Sequence, residues 1–214
     1  MSDENRRPLK SRGTKWAAAL TQRLAATSVT PNQISMASIA AGALAGLAFW
    51  ASADAGGWFR AILLVAAALF MQLRLLCNLL DGMVAIEAGK SAPDGAFWNE
   101  FPDRIADILI LVGAGLAAGQ PALGWAAAAF AILTAYVREH GRACGASADY
   151  SGPMAKQQRM AALTFGALAA AIEPIWNAEP FLMYVVLWIV AIGSAVTALR
   201  RAVRLVNHLR AVVP

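Results

Sequence analysis

The chain has 214 residues, of which 59% are apolar and only 14% charged. That balance excludes an ordinary soluble domain and points to one that crosses a membrane several times. The formal net charge of +5 is no nucleic-acid signature, because the basic residues are spread over several connections and form no single patch.

Residues 1–15 are charged and poor in apolar side chains, a composition expected to be mobile. The start is polar and basic for about thirty residues, so no cleavable signal peptide is expected. Between Trp16 and Ser28, Trp16, Leu20 and Leu24 form an apolar stripe, with Lys15, Gln22 and Arg23 polar. This predicts an amphipathic helix lying in the membrane interface, with an ordinary soluble helix as the alternative. Thr30 and Pro31 read as the cap and first turn of the next helix. Six apolar runs follow, at about 34–52, 58–80, 101–119, 121–138, 160–176 and 180–199. Most approach the ~20 residues that a bilayer requires. The expected fold class is therefore all-α, a polytopic integral membrane protein with six transmembrane helices and an N-terminal interfacial amphipathic helix. Its expected parts are a cytosolic segment 1–29, a membrane domain 30–204 and a cytosolic tail 205–214.

Small residues such as Gly42, Ala45, Gly46, Gly113 and Gly115 permit close helix contact. Lys and Arg gather in the N-terminal segment, in two alternate connections and in the tail, while the opposite loops hold only Arg60. Both termini are thus expected in the cytosol. Trp50, Trp58, Trp125 and Trp176 are expected at the far interface, and Trp16 and Trp98 at the cytosolic one. Cys77 and Cys144 stand far apart with no metal spacing and are expected as free thiols.

The stretch from Cys77 to Asp107 is polar where an apolar run is expected. Asn78, Asp81 and Ala85 follow an i, i+3, i+7 rhythm, and Gly95, Asn99, Asp103 and Asp107 an i, i+4, i+8, i+12 rhythm. Each set lies along one helix face, and a short loop can turn the two faces together. Carboxylates at a membrane edge are costly unless coordinated or paired. Two readings follow: ligands for a divalent cation, or ion pairs with Arg74, Arg104 or Lys90.

These residues resemble the signature of the CDP-alcohol phosphatidyltransferase family, Asp-x2-Asp-Gly-x2-Ala-Arg-x8-Gly-x3-Asp-x3-Asp. Every spacing is kept in Asn78-x2-Asp81-Gly82-x2-Ala85-Ile86-x8-Gly95-x3-Asn99-x3-Asp103. Asn78 and Asn99 stand in place of Asp, and Ile86 in place of Arg. The resemblance implies transfer of a phosphatidyl or related phospho-alcohol group from a CDP-alcohol, CDP-diacylglycerol foremost, to a hydroxyl acceptor with release of CMP. It implies Mg²⁺ or Mn²⁺ held by Asn78, Asp81, Asn99 and Asp103, with Asp103 as the base, and a homodimer.

Gly82, Ala85 and Gly95 suit close approach of a nucleotide, or equally helix packing. Lys156 and Arg159 match a basic segment of the family and could hold phosphate. Positive-inside topology is the plainer account of both. His140 reads as a solvated helix end. The two asparagines drop two formal negative charges, which predicts an ion held weakly, or one ion alone. The rival readings are a degenerate homologue that binds nucleotide or lipid without turnover, and a small transporter. No motif identifies the acceptor.

Overall fold

The computed structural model describes residues 14–87, 89–90, 92–177 and 181–212. The expectation for residues 1–13 lies outside the described residues. Among the described residues, seven α-helices run in chain order: α1 Lys15–Ala25, α2 Pro31–Ala51, α3 Gly57–Glu87, α4 Gly95–Ala117, α5 Pro121–Ala143, α6 Lys156–Ile172 and α7 Leu182–Val212. A 3-10 turn, Glu173–Ile175, follows α6. The described residues contain no strand.

Among the described residues, four helices, α2, α3, α5 and α7, are long and apolar enough to cross a membrane. The six expected spans are thus found as helices, but two fall short of that standard. Glu100, Asp103, Arg104 and Asp107 all lie within α4, and α6 has only 17 residues.

Several boundaries differ from expectation. The second apolar run continues to Glu87, so Asn78, Asp81 and Ala85 lie on an unbroken 31-residue helix. The third starts at Gly95, six residues early, and carries Pro102 inside it. The expected tail from residue 205 is helical to Val212, because good helix formers run on from the sixth span with no breaker among them.

Thr30 caps α2 as expected. Its side chain accepts from the Gln33 backbone N–H at 3.2 Å, and the Gln33 side chain accepts from the Thr30 N–H at 3.0 Å. Glu173, 1% exposed, does a similar service for α7, its Oε1 accepting the N–H groups of Phe181 and Leu182 at 2.7 and 3.1 Å.

Glycine decides how closely α4 lies against α2. A Cβ on Gly113 would stand 2.3 Å from the Gly46 carbonyl oxygen, and one on Gly46 2.4 Å from that of Leu109. The backbones therefore touch where a side chain would part them. Gly115 and Gly124 bring α4 against α5 in the same way. The main core gathers Phe49, Leu64, Met71, Ile110, Leu111, Met160, Leu163 and Leu187.

The helix expected at 16–28 is present as α1, but its faces divide differently. Ala17 and Thr21 are the buried pair, beside Leu79 and Met83 of α3. Leu20 and Leu24 pack on Ile34, Cys77, Leu80 and Val84, and Trp16 stays 52% exposed.

Candidate active site

Most of the polar stretch converges on one cavity of about 1140 Å³. From α3 it is lined by Asn78, Asp81, Gly82, Ala85 and Ile86, and from α4 by Gly95, Asn99, Glu100 and Asp103. Ser35 of α2, Arg138 of α5 and Lys156 of α6 add to the polar part. Leu75, Leu76, Ala161 and Phe165 give the same cavity an apolar wall between α3 and α6.

Asp81 is buried. Its Oδ2 accepts from the Ser35 hydroxyl at 2.7 Å, and its Oδ1 from the Gly82 N–H at 2.6 Å. Asp103 is held more fully. Its Oδ1 accepts from Asn78 Nδ2 at 2.5 Å and from Arg74 Nη2 at 3.2 Å, and its Oδ2 from Lys156 Nζ. Arg104 Nη2 stands 3.6 Å from Oδ2. One turn further along α4, Asp107 pairs with Arg74 at 2.7 Å and with Arg159 at 2.5 Å. Lys156, Asp103, Arg74, Asp107 and Arg159 thus form a row of alternating charges. Of the two readings of the acidic residues, the ion pairs with Arg74 and Arg104 form, and Asp103 also lines the cavity. Arg74 is the central cation, fully buried. Lys90 is no partner of the cluster and instead donates to the Thr27 carbonyl at 2.7 Å.

Arg159 corrects a sequence expectation. It does not line the cavity; it is 2% exposed and lies behind the wall on Asp107. Residues 156 and 159 are three apart on one face of α6, and 103 and 107 four apart on one face of α4. The two helix faces meet turn for turn, so Lys156 takes the shallower carboxylate and Arg159 the deeper. His140 lies on the exposed end of α5, its ring stacked on Tyr136. Ile86 is 46% exposed and brings no charge where the family pattern has arginine.

Ser35 and Arg138 were not legible as site residues. Arg138 pairs with Glu100 and Glu139, and its guanidinium lies 5.2 Å from the Tyr150 ring centre. Its signal in the sequence is a cation at the end of an apolar run, which topology alone also explains. Just before α4, Asp94 accepts from Asn32 Nδ2 at 3.1 and 3.2 Å and from Trp98 Nε1 at 2.8 Å. The Asn32 and then the Trp98 hydrogen bonds hold its carboxyl below the ordinary range. This contact ties the start of α2 to the start of α4 beside the cavity.

No three His, Cys, Asp or Glu side chains among the described residues converge on a point that could hold a metal ion. The donor set that is present suits a single hard cation. Each Asp81 oxygen has one acceptor position left after its hydrogen bond. Asn78 turns its N–H toward Asp103, which leaves its carbonyl oxygen available to accept, and Asn99 lines the same cavity. Mg²⁺ and Mn²⁺ accept one or two carboxylates completed by substrate phosphates.

No family model matches the chain. It is 31% identical over 175 residues to the inner membrane protein YnbA of Escherichia coli (strain K12), covering 80% of this chain and 83% of the relative. It is 28% identical over 151 residues to the archaetidylinositol phosphate synthase of Aeropyrum pernix, covering 68% and 72%. The chain belongs to the CDP-alcohol phosphatidyltransferase family. Its fold is that of the phosphatidylinositol phosphate synthase of Mycobacterium tuberculosis. The crystal structure of that enzyme with CDP-DAG bound superposes with a TM-score of 0.73 at 19% identity, over 90% of this chain and 94% of that one. The structure of the same enzyme in complex with manganese and citrate gives 0.72 at 20% identity, over 89% of each.

Proposed function

We propose that this chain is a membrane enzyme that transfers a phosphatidyl or related phospho-alcohol group from a CDP-alcohol to a hydroxyl acceptor and releases CMP. The observation that carries this reading is the single cavity that joins Asp81, Asp103 and Lys156 to an apolar wall of α3 and α6. Such a cavity suits an amphipathic donor with a diphosphate at one end and acyl chains at the other, as CDP-diacylglycerol has.

In the proposed reaction the acceptor hydroxyl oxygen forms a bond to the phosphorus that carries the lipid alcohol. The bond from that phosphorus to the bridging oxygen breaks, and its electron pair leaves with CMP. Asp103 receives the hydroxyl proton. Its Oδ1 already accepts two hydrogen bonds and its Oδ2 one, so Oδ2 has one position open for the hydroxyl. Lys156 holds Oδ2 from the other side and faces the phosphates. Gly82, Ala85 and Gly95 leave room beside α3 and α4 for the nucleotide. Asp81, Asn78 and Asn99 would hold Mg²⁺ or Mn²⁺, which when bound would neutralise the charge that develops on the leaving group.

We further read α4 and α6 as the third and fifth of the six expected spans, with both termini and the cavity on the cytosolic side and residues 30–204 as the catalytic domain. The Lys and Arg asymmetry supports this orientation. The family resemblance alone supports a homodimer. A reporter fused after Pro214 that is active only outside the cell would overturn the orientation.

The test of the activity is incubation of the purified protein with labelled CDP-diacylglycerol and a panel of alcohols, with CMP release as the readout. One observation favours a second reading, a non-catalytic nucleotide or lipid binder: two positions of the signature lack their carboxylates. CDP binding without CMP release under any acceptor would decide for it.

A further inference from the structure

We propose that Lys156 takes the place of a second divalent ion, so that the site of this chain works with one. The inference rests on the transferase reading above and concerns the same cavity. Phosphoryl-transfer sites with two ions use them as a clamp on the attacking and leaving oxygens. An ion on the attacking side of this cavity would need an open oxygen on Asp103.

Asp103 has one acceptor position open, which the acceptor hydroxyl needs, and none for an ion besides. A carboxylate has about four lone-pair sites. Those of Oδ1 are engaged by Asn78 Nδ2 at 2.5 Å and Arg74 Nη2 at 3.2 Å. Lys156 Nζ takes one of those on Oδ2, and the last is the only one open to an acceptor hydroxyl. Asp81 differs, with a single hydrogen bond on each oxygen, so an ion has room there. The neighbouring charges agree. Asp103 alone already lies within ion-pair distance of three cations, Arg74, Arg104 and Lys156. A second dication on Asp103 would stand among those three cations, with neither Asn78 nor Asn99 supplying charge against it.

Lys156 has what the role needs. An ammonium carries three N–H donors. With one on Asp103 it has two for phosphate oxygens, and so bridges carboxylate and phosphate as an ion would. It opens α6, and Arg159 on the next turn is anchored to Asp107 at 2.5 Å, which holds the start of that helix against α4.

The test is the number of Mn²⁺ ions bound per chain, read by electron paramagnetic resonance on the full-length, detergent-solubilised protein at saturating CDP. The wild type is expected to bind one. In the double variant Lys156→Gln with Asn78→Asp, two donors on Asp103 give way to groups that can face a cation, and two ions are expected. If the double variant does not fold, Lys156→Gln alone is expected to show a second, weaker Mn²⁺. Two ions in the wild type would overturn the inference, as would a folded double variant that still binds one. CDP binding with no Mn²⁺ at all would also overturn it, while leaving the nucleotide site standing. Failure to bind CDP under any condition would instead overturn the transferase reading beneath it.

Discussion

Asn78 of α3 donates its side-chain amide to Asp103 of α4 across 2.5 Å, joining the two helices that carry the signature. A carboxylate at position 78 could not make this bond. Two carboxylates at that separation repel unless a cation stands between them. Asn78 therefore lets Asp103 be held by the protein itself.

It follows that Asn78→Asp should make stability depend on metal. In chelator the variant loses a hydrogen bond and gains a like-charge contact, a loss of about 1–3 kcal/mol. Thermal unfolding in detergent should show a lowered midpoint that Mn²⁺ restores, while the wild type moves little between the two conditions. Equal midpoints for variant and wild type in chelator would contradict the argument.

Asp81 and Asp103 are the two aspartates that line the cavity. Asp81→Ala and Asp103→Asn should each lower CMP release by about 10²-fold or more, the usual scale for removing a charge-stabilising group. Both proteins should remain extractable and folded. Turnover at the wild-type rate in either variant would remove that residue from the mechanism.

The row of charges separates two residues that looked alike in sequence. Lys156→Ala should raise the substrate concentration needed for half-maximal rate, because its ammonium faces the cavity. Arg159→Ala should act on folding. It leaves Asp107, 1% exposed, with one cation where it had two, and breaking a buried pair costs about 3–5 kcal/mol. Asp107→Ala should lower stability likewise, by stripping Arg74 and Arg159 of their shared partner. Steady-state kinetics and melting curves on the three variants check the division. A normal midpoint for Arg159→Ala would refute it.

Gly113→Ala tests how the site is held in register. Its Cβ would meet the Gly46 carbonyl oxygen at 2.3 Å, so α2 and α4 must part. Overpacking of this kind costs about 1–3 kcal/mol. Ser35 of α2 and Asp103 of α4 both line the cavity, so CMP release should fall along with the melting midpoint. An unchanged midpoint would show that the helices yield at no cost.

The helical class, the apolar runs, the Thr30 cap and the alignment of Asn78, Asp81 and Ala85 on one face could all be read from sequence. These properties are local, set by a 3.6-residue period and by residues a turn apart. The eight-position spacing pointed to the family for the same reason, since it is a pattern along the chain. Partners across helices were another matter. Lys156 and Arg159 are chemically similar and three residues apart, yet one faces the cavity and the other lies behind it. Arg74 could be named as a candidate partner, but not as the residue shared by Asp103 and Asp107. Ser35 carried no signal, because a serine near a helix start has many uses. These outcomes depend on how far α4 is shifted along α2 and α6, and backbone contacts such as Gly46 with Gly113 decide that shift only once the helices are packed.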